Sequence, residues 1–288
     1  MNKILIIALL VFVPFSSMAQ ASGGQIKRKT PQKTMSKMKS PKTPQRKIIA
    51  PTQQLQAVTN RERTKSEVIN CIVNNMVYVE GGSFYMGGTI EQGSDRNENE
   101  MPAHEVTVSA YYIGKYEVTI EEWNSIMDIS WTDHSNDHKP IRSITWNQCQ
   151  VFINKLNSLT GKKFRLPTEA EWEFAARGGI HSRNYKYSGS NNYNDVVSTG
   201  KSDVGSKKAN ELGLYDMSGS VWEWCQDRYG SYSSSSHKQH NPTGPTIGDT
   251  RVIRGGGFFS LPEEFRVSQR IGYGPNEISS SLGFRLAL

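Results

Sequence analysis

Carboxylates crowd the stretch Phe164–Gly179, FRLPTEAEWEFAARGG, where Glu169, Glu171 and Glu173 alternate with Ala170 and Trp172. Paired carboxylates can do acid–base chemistry when one is held protonated and the other ionised. On a helix, positions two apart point about 200° from each other, so Glu169 and Glu171 diverge while Glu169 and Glu173 share a face. No nucleophile or metal ligand stands beside them. The expected role is structural: an acidic first turn, salt bridges to Arg165 and Arg177, and Trp172 and Phe174 packed inward.

A second constellation lies over Gly213–Trp224, GLYDMSGSVWEW. Asp216 and Glu223 offer carboxylates, and the turn lets the backbone carbonyls of Gly219 and Val221 approach one point. Calcium takes about six to eight oxygen ligands in a flexible shell, which such a turn can supply. The competing reading is that Asp216 and Glu223 hydrogen-bond loop amides without a metal.

Other candidates are weaker. His134 and His138 are four apart, as metal ligands on a helix can be, but WTDHSNDHKPIRS reads as a loop, as does the Ser-rich segment holding His237 and His240. Cys71, Cys149 and Cys225 fit no zinc spacing and allow at most one internal disulfide, for which Cys149–Cys225 is the guess. In Arg254–Arg270, RGGGFFSLPEEFRVSQR, Ser260 would need a base to act as a nucleophile, and its chain neighbours Leu261, Pro262, Glu263 and Glu264 include no histidine.

The elements that must position these residues are short. Met76–Met86 reads as strand, Gly-Gly turn, strand, and His104–Tyr112 alternates as a half-buried strand. Thr119 with Glu122 and Thr168 with Glu171 are capping boxes that open helices. Trp146–Leu159 has helical spacing, closed by Gly161. Beyond Ile180 the chain is rich in Gly, Ser, Asn and aromatics, and no internal repeat appears.

The N-terminus, MNKILIIALLVFVPFSSMAQ, has the charge, apolar run and small-residue cleavage site of a secretory signal peptide over residues 1–19. No other apolar run approaches membrane-spanning length. Residues 20–67 hold twelve Lys and Arg against two Glu, with no aromatic residue, and read as a disordered basic linker. The whole chain carries +7, so the remainder from Val68 is net −4 and the basic character belongs to the tail. That balance argues against a nucleic-acid-binding domain. It allows the tail to contact an anionic envelope surface or to serve merely as a solubilising linker.

Six blocks together resemble the sulfatase-modifying-factor family, whose founding members are the formylglycine-generating enzymes. They are MVYVEGGSFYMG (76–87), PAHEVTVSAYYIGKYEVTIEEW (102–123), FRLPTEAEWEFAARGG (164–179), ELGLYDMSGSVWEWCQD (211–227), RVIRGGGFF (251–259) and LGFRLAL (282–288). The resemblance implies an α+β, C-type-lectin-like domain over 68–288, with short strands, few helices and much loop. It also implies a structural calcium ion at Asp216, Gly219, Val221 and Glu223, although the family often carries Asn where Asp216 and Ser220 stand here. A second family calcium site between Tyr187 and Lys208 has no pattern that aligns.

In the formylglycine-generating enzymes two cysteines after the Arg-Gly-Gly turn bind copper(I) and activate oxygen. Counting as the family does places Ser260 and Phe265 at those positions. A hydroxyl is no substitute for a soft thiolate and a phenyl ring cannot ligate, so copper is not expected. The resulting expectation is a secreted or periplasmic module, calcium-stabilised and without formylglycine-generating activity, that binds a protein or glycan partner in the cell envelope. The alternative is a metal-dependent oxidoreductase or sulfatase-maturing enzyme on the same fold.

Overall fold

The computed structural model describes residues 62–198, 202–232 and 238–288. The leader over 1–19 and the basic segment up to Arg61 lie outside the described residues, as does His237. The first described element is a helix, α1 (Lys65–Asn74), whose first three residues fall in the stretch that the sequence assigns to the linker. Thr64 caps it and Glu67 returns the bond, and Val68 and Ile72 are buried against the next helix. Two apolar positions four apart suffice to dock it, but they are too few to stand out in a basic, polar sequence.

After α1 come β1 (Met76–Val79) and β2 (Gly82–Met86). These flank the Gly-Gly turn as expected, yet they do not pair with each other. β3 (His104–Val108) pairs with β2, and β4 (Tyr111–Gly114) pairs with β1, both antiparallel. The single strand expected over 104–112 is therefore broken at Ser109–Ala110. A Cβ at Gly81 would stand 2.8 Å from the Ala110 amide nitrogen, so the two connections cross with no room for a side chain at Gly81.

Three capping boxes then start α2 (Ile120–Met127, Thr119 with Glu122), α3 (Trp146–Thr160, Thr145 with Gln148) and α4 (Glu169–Ala176, Thr168 with Glu171). Gly161, at φ 67°, closes α3 as the sequence suggests. A single helical turn, α5 (Tyr193–Val196), follows in the loop region.

The C-terminal half, which shows little regular pattern in sequence, holds a four-stranded sheet. β5 (Trp222–Arg228) lies between β7 (Arg251–Arg254) and β9 (Leu282–Gly283), and β8 (Arg270–Tyr273) flanks β7. β6 (Gln239–His240) joins β3 in the other sheet. The final residues stitch the halves together. Leu288 exchanges backbone hydrogen bonds with Tyr112, Ala287 with Arg165, and Leu286 accepts from Gly114.

Two apolar clusters sit under these layers. One gathers Val68, Trp123, Phe152, Leu156, Trp224 and Phe284, with Trp123 stacked on Phe152 at 5.4 Å. The other gathers Val79, Val106, Ile113, Trp172, Phe174 and Val252. Cys149 belongs to the first and Cys225 to the second, and both are fully buried. All three cysteines are free, so the Cys149–Cys225 disulfide does not form: the two thiols belong to different cores. Burial pushes both thiols above the usual range, which leaves them unreactive.

Between the clusters runs a set of ion pairs. Arg254, Arg266, Arg270 and Arg285 are each no more than 2% exposed and each meets a buried glutamate. Arg254 pairs with Glu173, Arg266 with Glu100 at 2.5 Å, Arg270 with Glu169 at 2.6 Å and Arg285 with Glu223 at 2.6 Å. The expected bridges of α4 are present too, Arg165 bidentate on Glu171 and Arg177 on Glu173. Removing one member of a buried pair strands the other, at a cost of about 3–5 kcal/mol. Glu173→Ala, which removes the nearest carboxylate of Arg254 and one of the two that hold Arg177, is expected to lower urea-unfolding stability by up to that amount. Lys65→Ala, which breaks an ion pair with exposed Asp128, should leave the urea midpoint unchanged. Equal losses would refute the buried network as a determinant of stability.

Candidate functional site

The segment opened by RGGG begins where β7 ends. Gly255 and Gly256 take φ of 97° and 79°, and a Cβ on Gly256 would stand 2.9 Å from the Glu264 carbonyl oxygen. Glycine is needed there because the turn lies directly against the chain that returns at Phe265. Ser260 closes the next turn: its amide donates to the Gly257 carbonyl at 2.8 Å, and its Oγ accepts from the Gly257 amide at 3.1 Å. A 3-10 turn, Pro262–Phe265, follows.

Phe265 is 5% exposed and packs with Tyr187 and Val196, its ring 6.5 Å from that of Tyr193. Its carbonyl accepts from Ser218 Oγ at 2.8 Å. The two positions that would carry thiols thus hold a turn-forming hydroxyl and an apolar anchor. The three cysteines are elsewhere: Cys149 and Cys225 are sealed in the cores, and Cys71 on α1 takes a hydrogen bond from Arg63. Next to the turn, Phe258 and Phe259 lie 4.4 Å apart, and Arg142 sits over the Phe258 ring.

The Asp216–Glu223 turn lies against the back of this segment, with the Gly219 amide donating to the Gly255 carbonyl at 2.8 Å. Asp216, Gly219 and Ser220 all have positive φ, at 58°, 90° and 64°. Of the four residues proposed to hold calcium, Glu223 is already committed. Both its oxygens take hydrogen bonds from Arg285 at 2.6 Å, and Trp172 Nε1 donates to one of them at 2.7 Å. Asp216 accepts from the Gly205 amide through Oδ2 at 2.6 Å, while its buried Oδ1 has no partner.

The structure adds a residue that the sequence reading left without a role. Glu117, just before α2, is 1% exposed. Its Oε1 accepts from the Val221 amide at 3.3 Å, and its Oε2 is buried without a partner. Burial, then the neighbouring Asp216 and Glu223 carboxylates, holds the Glu117 carboxyl well above the ordinary range. Burial raises Asp216 as well. Three carboxylates therefore share one guanidinium, and two of their buried oxygens are orphaned. That is the residue pattern a divalent cation completes. Among the described residues no three His, Cys, Asp or Glu side chains alone form a metal group, so such an ion would also use backbone oxygens, in keeping with Gly219 and Val221. Glu117 carries one sequence signal, an acid between Tyr116 and Val118 in an otherwise apolar entry to α2.

Among the described residues the histidines do not gather. His134 bonds Asp137 at 2.7 Å, and His138 lies exposed nearby. Glu169 and Glu173 do share a face as the helical spacing requires, but arginines occupy both, which matches the structural role expected of them.

The family model described as the sulfatase-modifying factor enzyme 1-like domain matches residues 62–288, and the chain belongs to that family. Its fold is the C-type-lectin-like α+β fold of the formylglycine-generating enzymes. Among solved structures it is similar to Treponema denticola variable protein 1, at 28% identity and a TM-score of 0.64, covering 74% of this chain and 94% of that one. Among curated relatives, the serine/threonine-protein kinase pkn1 of Chlamydia caviae is 30% identical over 75% of this chain and 38% of its own length. The chain thus spans well under half of that relative. The chaperone protein LppX of Paenibacillus barcinonensis is 29% identical over 75% of this chain and 89% of its own.

The side chains at the two thiol positions can be weighed separately. Phe265→Ala should cost about 3–5 kcal/mol through the cavity it leaves. Ser260→Ala should cost less than about 1 kcal/mol. Chemical denaturation of the two variants reads the contrast, and a neutral Phe265→Ala would contradict the anchoring role.

Proposed function

We propose that this chain is a non-catalytic, exported binding or envelope-assembly module whose folded part is stiffened by calcium. The observation that carries the first half is the occupancy of the thiol positions: Ser260 is tied into its own turn and Phe265 is packed in an aromatic cluster. Copper(I) needs soft ligands, and neither residue is one. A relative named as a chaperone, aligned over most of its length, supports a role in handling other proteins rather than oxidising them.

The calcium half rests on the orphaned oxygens of Glu117 and Asp216 beside Glu223. Those two side chains, with the carbonyls of Gly219 and Val221, would hold the ion, and Glu223 would balance charge through its link to Arg285. Bound calcium supplies positive charge that offsets a buried excess of carboxylate. Export is supported by the leader at residues 1–19, and the basic segment after it offers contact with anionic envelope polymers or headgroups.

Two measurements test the reading. Calcium at a hundredfold excess over its Kd adds about 2.7 kcal/mol, or roughly 5–10 °C in Tm for a domain of this size. The wild-type chain should show that rise over a chelator control, and Glu117→Gln should abolish it. An undiminished rise in Glu117→Gln would place the ion elsewhere. Separately, a Cys-x-Pro-x-Arg peptide incubated with the protein, copper(I) and oxygen should keep its mass. Conversion to the aldehyde would overturn the non-catalytic half and restore a sulfatase-maturing activity.

A further inference from the structure

A cavity of about 410 Å³ opens between the N-terminus of α4, the end of β5 and the segment 242–245, away from both sites above. That is within the range of small-molecule sites, roughly 300–1,000 Å³. At its base lies Asp227, 3% exposed. One oxygen accepts from the Glu169 amide at 3.0 Å, and the other takes no hydrogen bond among the described residues. Beside it stands His104, whose Nδ1 is 3.0 Å from the Pro102 carbonyl. A carbonyl can only accept, so in the neutral ring Nε2 is left as an acceptor. The side chains of Ser231, Gln239 and Thr243 also line the space without a partner among the described residues.

The charges in the wall are already spent. Arg270 gives two hydrogen bonds to Glu169, at 2.6 and 2.8 Å, and its remaining nitrogen bonds the carbonyls of Asn99 and Gly230. An anionic ligand would find no unspent guanidinium among the described lining residues. Burial, then Glu169, pushes the Asp227 carboxyl up to about 8, so near neutral pH it is largely uncharged and offers a cation little. Tyr232 is held as a rigid wall, with the Arg270 guanidinium 4.0 Å from its ring and the His104 ring 4.7 Å away. Met86, Pro242 and Pro245 supply apolar surface between the polar groups. The neighbouring strand β6 is two residues long, too short to template an added peptide strand.

We infer that this cavity binds a neutral saccharide. Sugar hydroxyls both donate and accept, which matches a protonated carboxyl, two hydroxyls, an amide and an imidazole acceptor around one space. The C–H face of a sugar ring suits the Met, Pro and Tyr surfaces. The inference rests on the reading of the chain as a binding module and names its ligand class. The two fail separately, because calcium stabilisation can hold while no sugar binds.

Saturation-transfer NMR on the full chain tests it, with glucose, galactose, mannose, N-acetylglucosamine and their disaccharides as probes. At least one should bind saturably, and Gln239→Ala with Thr243→Ala should weaken it by about tenfold. Asp227 faces Glu169 and Glu171 from α4, Arg270 from β8 and Arg251 from β7, and shares the cavity with His104 from β3. Its ionisation removes a donor, so wild-type affinity should fall as pH rises from about 7 through about 8. Asp227→Asn keeps the acceptor for the Glu169 amide and a fixed donor, so its profile should be flat above about pH 7. Should that variant fail to fold, the rim substitutions and the wild-type profile still decide. Absence of saturable binding by every sugar would overturn the assignment. So would ethylammonium binding in their place and tightening as pH rises, or a pH slope retained in Asp227→Asn.

Discussion

Four buried guanidinium groups hold this fold in register. Arg254, Arg266, Arg270 and Arg285 each pair with a glutamate, and each also donates to carbonyls of irregular backbone. Arg254 bonds the carbonyls of Ser268 and Gln269, and Arg285 those of Gly114 and Tyr215. A chain with this much loop has many backbone groups that no helix or sheet satisfies, and buried ones are costly to leave unpaired. The guanidinium fork meets two needs together, a carboxylate on one side and loop carbonyls on the other. Loss of either partner leaves a desolvated charge, so the pairs fix which loops lie together even where the pairs themselves add little net stability.

The same constraint explains why the two functional segments lie back to back. Arg254 ends β7 and opens the glycine turn, while Glu223 begins β5 alongside it, paired in register with Arg254. The turn before β5 then meets the glycine turn through the Gly219–Gly255 hydrogen bond. Asp216 and Ser220 sit in the left-handed region, which Asn and Asp tolerate better than other side chains. The requirement at these two positions is therefore as much on the backbone as on a ligand oxygen.

Helices α2, α3 and α4 were legible because their signals are local, whereas α1 carries the same kind of box, Thr64 with Glu67, inside a basic and polar stretch that hid it. Thr119, Thr145 and Thr168, each followed three residues later by Glu or Gln, mark starts that need no tertiary context. The four-stranded sheet was not legible, and β5 shows why. In WEWCQDR the side chains of Glu223 and Asp227 are buried along with the tryptophans, so the apolar–polar alternation that reveals a half-buried strand is absent. Partners far along the chain make those positions tolerable: Arg285 and Trp172, 62 and 51 residues from Glu223, and the Glu169 amide, 58 residues from Asp227. The site divided in the same way. Asp216 and Glu223 could be picked out within one short motif, whereas Glu117 lies 104 residues from Val221, whose amide it accepts. The broken strand at Ser109–Ala110 depends on a crossing connection that no local pattern announces.

The residues at the thiol positions stand apart from this network. Ser260 bonds only within its own turn, and Phe265 contributes its ring to a small peripheral cluster. Neither makes an ion pair among the described residues, so the ion-pair network does not depend on the chemistry those positions carry, although Phe265 anchors its loop by packing. Asp227 is the opposite case. Its carboxyl caps α4 at Glu169, the carboxylate that holds Arg270, and it also faces the cavity. A ligand bound there would touch a group that helps position the network itself, so occupancy would be felt in the sheet through Glu169 and Arg270. A fold pinned by ion pairs can thus keep its network whatever chemistry one loop carries, while holding a rigid, pre-formed cavity at another.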